Sequence, residues 1–270
     1  MISNLNQNGV SLERGVFPNE LTSRWREIAD RQYARIQSLA QSKGIEAVRR
    51  ELPSGQHYLP NVSSISLEGV FTEAEWQGIL NCLATASLRE TIEQALGGSA
   101  VCDLDRAWVR RQYPIHRRPP GHMPHSWHQD GALRYSFDPT GACAPAADGL
   151  LRMVTCWLAL TPCGQQAPGL EFVRHHLDSL LPPVALTEDG LRARFPAELF
   201  WRPVMEPGDA MIFSGGTLHR TQVELGMQAD RTSIELRFFR AEAIPERVAE
   251  DRFVGWPSSA PAGDGFHGGA

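Results

Sequence analysis

The stretch Pro207-Gly208-Asp209-Ala210-Met211-Ile212-Phe213-Ser214-Gly215-Gly216-Thr217-Leu218-His219-Arg220-Thr221 alternates turn chemistry with short strand-like runs. Pro207-Gly208-Asp209 reads as a turn, residues 210–213 as a buried strand, and Ser214-Gly215-Gly216 as a second turn. Residues 217–221 then read as another strand, with Thr217, His219 and Thr221 on one face. Runs at 107–113, 150–160, 170–173 and 232–239 are similarly short, rich in β-branched or aromatic residues, and bounded by Gly, Pro or Asp. Such a series predicts a sandwich or barrel rather than alternating strands and helices.

Upstream the pattern is helical. Leu21, Trp25, Ile28, Tyr33, Ile36 and Leu39 recur at three- and four-residue steps, with one five-residue gap, and predict an amphipathic helix over 21–40. Leu52-Pro53-Ser54-Gly55 reads as a stop. Thr72/Glu75 and Ser87/Glu90 have capping-box spacing, Phe71 and Trp76 are placed as a hydrophobic staple, and Gly97-Gly98 supply an end. Residues 1–20 lack periodicity and read as a loosely held arm. The expected class is therefore mainly β with a helical N-terminal layer. Residues 1–105 form the helical region, 106–240 the β core and 241–270 a flexible tail.

Composition narrows the function classes. A chain of 270 residues with 42% hydrophobic content can bury one large core, and a net charge of −5 gives no pull toward nucleic acid or an anionic membrane. No apolar run approaches the roughly 20 residues of a membrane span. Residues 1–7 lack a signal peptide's basic start and apolar stretch, and the five cysteines include no C-x-x-C pair. A reducing cytoplasm is the expected setting.

The chemistry concentrates at Trp127-His128-Gln129-Asp130-Gly131. Residues i and i+2 of an extended strand share a face, their Cα atoms about 6.5–7 Å apart, so His128 and Asp130 can reach one metal ion. With nine histidines and twelve aspartates one H-x-D is unremarkable, and a second exists at His176-Leu177-Asp178. Context favours the first: it follows a Pro/Gly/His-rich approach and is followed by Gly131, as at a sheet rim. The second follows a short strand, where Asp178 suits a cap or turn. His219 is the second histidine, because a polar strand face inside an apolar barrel is costly unless paired or liganded. The alternative for it is an ordinary hydrogen-bonded surface histidine. Two histidines and one carboxylate are the ligand set of non-haem Fe(II) oxygenases.

Beyond His219, residues 231–239 alternate, with Arg231, Ser233, Glu235 and Arg237 on one face. A guanidinium with a hydroxyl two residues on, as in Arg231 and Ser233, can hold a carboxylate. Glu235 and Arg237 read instead as an exposed face laced by ion pairs. Arg106, Arg110, Arg111, Arg117 and Arg118 form a basic cluster that suits an anionic or carrier-linked substrate or, more plainly, a solvated face.

With these residues, about half the chain resembles the phytanoyl-CoA-dioxygenase-like branch of the Fe(II)/2-oxoglutarate oxygenases. The resemblance rests on Arg-Gln-Tyr-Pro (111–114), Trp-His-Gln-Asp-Gly (127–131), Cys-Trp-Leu-Ala-Leu (156–160), Ala-Pro-Gly-Leu-Glu-Phe-Val (167–173), Pro-Gly-Asp-Ala-Met-Ile-Phe (207–213), His219 and Arg231. It implies a double-stranded β-helix (jelly roll, cupin-like), with His128, Asp130 and His219 as iron ligands. It also implies that Arg231 grips the distal carboxylate of 2-oxoglutarate, helped by Thr221, with Gln112 and Trp157 touching the co-substrate. The implied reaction uses Fe(II), 2-oxoglutarate and O2 to hydroxylate a small organic molecule, releasing succinate and CO2. Desaturation, cyclisation or epimerisation with the same cofactors, and a cupin-like binding barrel without oxygenase activity, are the alternatives. The carboxylate of Asp130 argues against halogenation, which in relatives needs a small residue there. Residues 1–105 carry none of the motifs and would shape the substrate pocket.

Overall fold

The structure, a computed structural model, describes residues 5, 7–51, 63–119, 121–137 and 149–257. Strand β1 (Val10–Glu13) is followed by helices α1 (Asn19–Lys43) and α2 (Ile45–Glu51), strand β2 (Ser64–Ser66), and helices α3 (Leu67–Val70), α4 (Glu73–Thr85) and α5 (Leu88–Leu96). Strands β3 (Ala100–Gln112), β4 (Met153–Ala159) and β5 (Gly169–Val173) come next, then helix α6 (Glu188–Arg194). Strands β6 (Phe200–Trp201), β7 (Ala210–Ser214), β8 (His219–Gln222), β9 (Arg231–Arg240) and β10 (Phe253–Gly255) complete the order.

Two antiparallel sheets result. The larger runs β1-β7-β4-β9-β3-β10, with β2 also pairing with β3, and the smaller runs β6-β5-β8. The helices cover one face of the large sheet. Trp25, Ala29, Tyr33 and Ile36, at helical spacing on α1, share a core with Ile79 and Leu83 of α4 and with Val109, Leu158, Ile212, Ile234 and Leu236 of the sheet. Tyr33 fastens this layer, its hydroxyl donating to the Val109 carbonyl at 2.9 Å. The opposite face of the sheet meets the small sheet through Trp157, Phe172, Met211 and Phe213. Strand β9 lies centrally between β3 and β4, so both of its faces are covered.

Three local expectations change. The N-terminal arm is not loose throughout, because Val10–Glu13 pairs with β7 and supplies its outer neighbour. Glu75 does cap α4, accepting from the Thr72 amide at 2.9 Å, but Ser87 takes a left-handed conformation and makes no side-chain cap. The chain beyond residue 240 packs as far as β10, which pairs with Val101–Asp103 of β3. The stop read at residues 52–55 and the end of the tail, 258–270, lie outside the described residues.

The turn read at Pro207-Gly208-Asp209 joins the two ends of the fold. The Gly208 carbonyl accepts from the amides of Val16 and Phe17 at 2.9 and 3.2 Å, and its amide donates to Ala159. Gly208 has φ +93°, and a Cβ there would lie 2.6 Å from the Phe17 carbonyl oxygen. Gly208→Ala should therefore lower the urea midpoint without changing the m-value, the positive φ alone costing about 1–2 kcal/mol.

Candidate metal centre

The Trp-His-Gln-Asp-Gly run is held by the residues that do not face the site. Trp127 is buried and donates through its indole to Glu188 at 2.9 Å. The Gln129 amide donates to the carbonyls of Gly216 (2.8 Å) and Ser179 (3.0 Å) and accepts from the Leu181 amide (2.7 Å). His128 forms a two-bond antiparallel bridge with His219, the amide of each donating to the carbonyl of the other at 3.0 and 3.1 Å. Asp130 opens a short 3-10 turn over Asp130–Ala132. Gly131 permits this turn, because a Cβ there would stand 2.4 Å from Leu150 and 2.9 Å from the Gly215 carbonyl.

With the backbone so fixed, three side chains converge. His128 Nε2 lies 3.6 Å and His219 Nε2 3.8 Å from Asp130 Oδ1, and the three candidate ligand atoms fall within 4.8 Å of one another. His128 Nδ1 donates to the Ser126 carbonyl at 2.7 Å, and His219 Nδ1 to the Thr217 carbonyl at 3.0 Å. A carbonyl only accepts, so Nδ1 carries the proton in each ring and the Nε2 lone pair faces the cluster. Burial pushes His128 down to about 4, helped by neighbouring His219, so its ring is neutral and able to ligate near pH 7. Burial works to raise the Asp130 carboxyl, but Arg237, the two imidazoles and the Thr155 hydroxyl outweigh it and hold it well below the usual range. These donors suit a divalent transition metal with positions left open. Among the described residues no other set of three His, Cys, Asp or Glu side chains meets this closely.

The rest of the cavity carries a buried cation. Its walls include His128 and His219 together with Gln112, Trp157, Leu170, Phe213, Thr221 and Arg231, and the ion pair Arg110–Glu235 also borders it. Arg231 is 1% exposed, lies 5.1 Å above the Trp157 ring, and donates to the Gly169 carbonyl at 3.3 Å. Its Nε has no hydrogen-bond partner among the described residues. Burial pulls this guanidinium down to about 10. A buried cation without a carboxylate is expensive, and an anionic ligand would relieve that cost. Gln112 stands opposite Arg231 in the β3–β9 register, its side-chain oxygen accepting from His122 Nε2 at 2.9 Å. Ser233 is fully buried with its hydroxyl unpartnered among the described residues, but it is not at the cavity wall.

Glu235 and Arg237 are not on an exposed face. Each is 7% exposed, because β9 is a central strand whose polar side turns toward the small sheet. Arg237 donates to Asp130 Oδ2 at 3.3 Å and pairs with Glu235, and Arg110 closes on Glu235 at 2.5 Å. Thr155 donates to Asp130 Oδ2 at 2.8 Å. Sequence reading missed Thr155 and Arg237 at the site. For Arg237 the available signal was four polar residues alternating with apolar ones on one strand, and for Thr155 there was none. The basic cluster is dispersed: Arg106 pairs with Asp251 (3.3 Å), Arg110 with Glu235, Arg111 with Asp30 and Arg117 with Asp230 (3.2 Å). His125 lines the same cavity beside His128, while His176 and Asp178 pair with each other at 2.9 Å and border a different one.

Two stacked antiparallel sheets with a helical cover thus bring together two imidazoles and a carboxylate that could hold a metal ion, with an unpaired guanidinium on the cavity wall. The chain matches the sequence model of the phytanoyl-CoA dioxygenase (PhyH) family over residues 5–231, and it belongs to that family. No curated protein sequence matches it. Solved structures share the fold at low identity. EctD from S. alaskensis, with 2-oxoglutarate and 5-hydroxyectoine, has a TM-score of 0.62 at 14% identity, over 95% of this chain and 84% of that one. AviO1 from Streptomyces viridochromogenes Tue57 gives 0.58 at 15%, over 90% and 95%. SnoN, a non-heme α-ketoglutarate-dependent epimerase from nogalamycin biosynthesis, gives 0.55 at 15%, over 89% and 82%.

The two H-x-D pairs are separable by calorimetry. His128→Ala, Asp130→Ala and His219→Ala should each remove measurable Mn(II) binding, whereas His176→Ala should titrate like the unsubstituted chain.

Proposed function

We propose that this chain is an Fe(II)- and 2-oxoglutarate-dependent oxygenase that hydroxylates an unactivated C–H bond of a small organic molecule. Its β core is then a double-stranded β-helix, and residues 1–105 shape the substrate pocket around a catalytic core at 106–240. The observation that carries the reading is Arg231, a buried guanidinium with no ion-pair partner among the described residues, lining one cavity with the two histidines that converge on Asp130. A metal-binding barrel without oxidative chemistry has no use for that cation.

In this reading His128, Asp130 and His219 hold iron through Nε2, Oδ1 and Nε2. Arg231 takes the far carboxylate of 2-oxoglutarate, and Thr221, on the same cavity wall, adds a hydroxyl. Trp157 and Leu170 flank the carbon chain, and Gln112 orients the near end through its bond to His122. When bound, iron and the keto acid supply O2-dependent oxidation of a C–H bond, with succinate and CO2 as coproducts. The protein's part is to place the substrate over the ion and to keep water from the cavity.

Desaturation, cyclisation or epimerisation would use the same residues, and SnoN is an epimerase on a similar fold. Product mass spectrometry separates these outcomes. Anaerobic addition of Fe(II) and 2-oxoglutarate should give a visible metal-to-ligand charge-transfer band, and its absence would sink the oxygenase reading. Arg231→Ala should raise the 2-oxoglutarate concentration needed for that band by at least roughly tenfold, the loss of one charged hydrogen-bonded pair.

A further inference from the structure

We infer that Thr155 and Arg237 are positioning residues that commit one oxygen of Asp130 to the protein and leave only the other for the metal. The inference rests on reading His128, Asp130 and His219 as a metal centre.

Thr155 of β4 and Arg237 of β9 are direct cross-strand partners. Both donate to the same oxygen, Asp130 Oδ2, at 2.8 and 3.3 Å. The other oxygen, Oδ1, is the one that faces His128 Nε2 and His219 Nε2. Neither donor is free to follow the carboxylate if it turns. Thr155 is fully buried within a paired strand. Arg237 is held on two further sides, by Glu235 and by the Arg106 carbonyl at 2.9 Å. Arg106 lies where the β3–β9 register shifts between Asp103 and Trp108, so an irregularity in the sheet delivers the carbonyl that braces the guanidinium. Glu235 is braced in turn by Arg110, which also donates to Ser64 at 3.3 Å.

The consequence concerns coordination number. A carboxylate free to rotate can chelate through both oxygens, so two histidines and Asp130 would then fill four of six positions. A two-toothed co-substrate would take the remaining two and leave none for a second reactant. With Oδ2 bound by Thr155 and Arg237, the protein uses three positions and keeps three open. The clamp therefore acts through Asp130, on the geometry of the ion, without touching a reactant itself.

The test uses Co(II) as probe, titrated anaerobically into the full chain, with Thr155→Val and Arg237→Lys as variants. Thr155→Val keeps the side-chain shape and deletes the shorter bond. Arg237→Lys keeps the charge and loses the fork. Each should weaken Co(II) binding about 10–100-fold. Each should also change the visible spectrum of the Co(II)-loaded protein, because the Asp130 carboxylate is then free to chelate, and Thr155→Val should lower the metal-free melting temperature less than Arg237→Lys. Wild-type affinity with a wild-type spectrum in both variants would overturn the inference. Weaker binding that only tracks a lower metal-free melting temperature, with the spectrum unaltered, would overturn it equally. If the variants behave as expected but Fe(II) and 2-oxoglutarate give no charge-transfer band, the clamp stands and the oxygenase reading falls.

Discussion

Four ionised side chains enclosed between the two sheets set the terms for this molecule. Asp130, Arg237, Glu235 and Arg110 form one chain of contacts, with each carboxylate beside at least one guanidinium. Ions in that setting are tolerable only when paired and hydrogen-bonded, since breaking a buried pair typically costs about 3–5 kcal/mol. The apolar core lies on the other face of the large sheet, against the helices. Strand β9 thus separates two environments, with Ile234 and Leu236 in the core and Arg231, Glu235 and Arg237 facing the small sheet. The pairing is complete except at Arg231. That imbalance leaves one buried cation at the cavity wall without an ion-pair partner among the described residues.

Much of this is legible in the sequence. Period-two alternation marked β9, turn residues bracketed β7, and helical spacing found α1, because each of those signals is local. His128, Asp130 and His219 were readable for the same reason, the first two from their spacing and the third from its place on a polar strand face. What escaped was non-local. Thr155 belongs to a strand whose burial pattern gives no hint of a polar partner, and it reaches Asp130 only because β4 and β9 are neighbours. Glu235 and Arg237 read as surface in the sequence because charged residues are rarely buried. Only a sheet order that places β9 in the middle reverses that inference. Strand β1 was missed because four residues are too few to display a period, and pairing with β7 decides their state.

The two H-x-D triplets illustrate how little a motif says without its frame. In the first, the intervening Gln129 bonds three backbone groups from two separate segments, so the flanking residues have no freedom to drift. In the second, the Asp178 side chain is 93% exposed and pairs with the histidine two residues earlier. Equal spacing thus produces a rigid pair in one place and a solvent-facing pair in the other. Identities of 13–15% to similarly folded proteins are consistent with this. Most positions answer to packing and can vary, while those that fix a few atoms cannot.

The sheet order also bears on how the molecule comes into being. Its outer positions are filled by β1 and β10, drawn from the two ends of the chain, while its middle is filled by β9. During synthesis β3 and β4 must wait for β9, and β7 is paired on both sides only when the first residues return to it. Folding dominated by such distant pairings is slow. Until it finishes, strand edges with unmet N–H and C=O groups stay open to other chains. A shortened chain cut back to its inner strands would keep those edges bare permanently, and self-association would be the price.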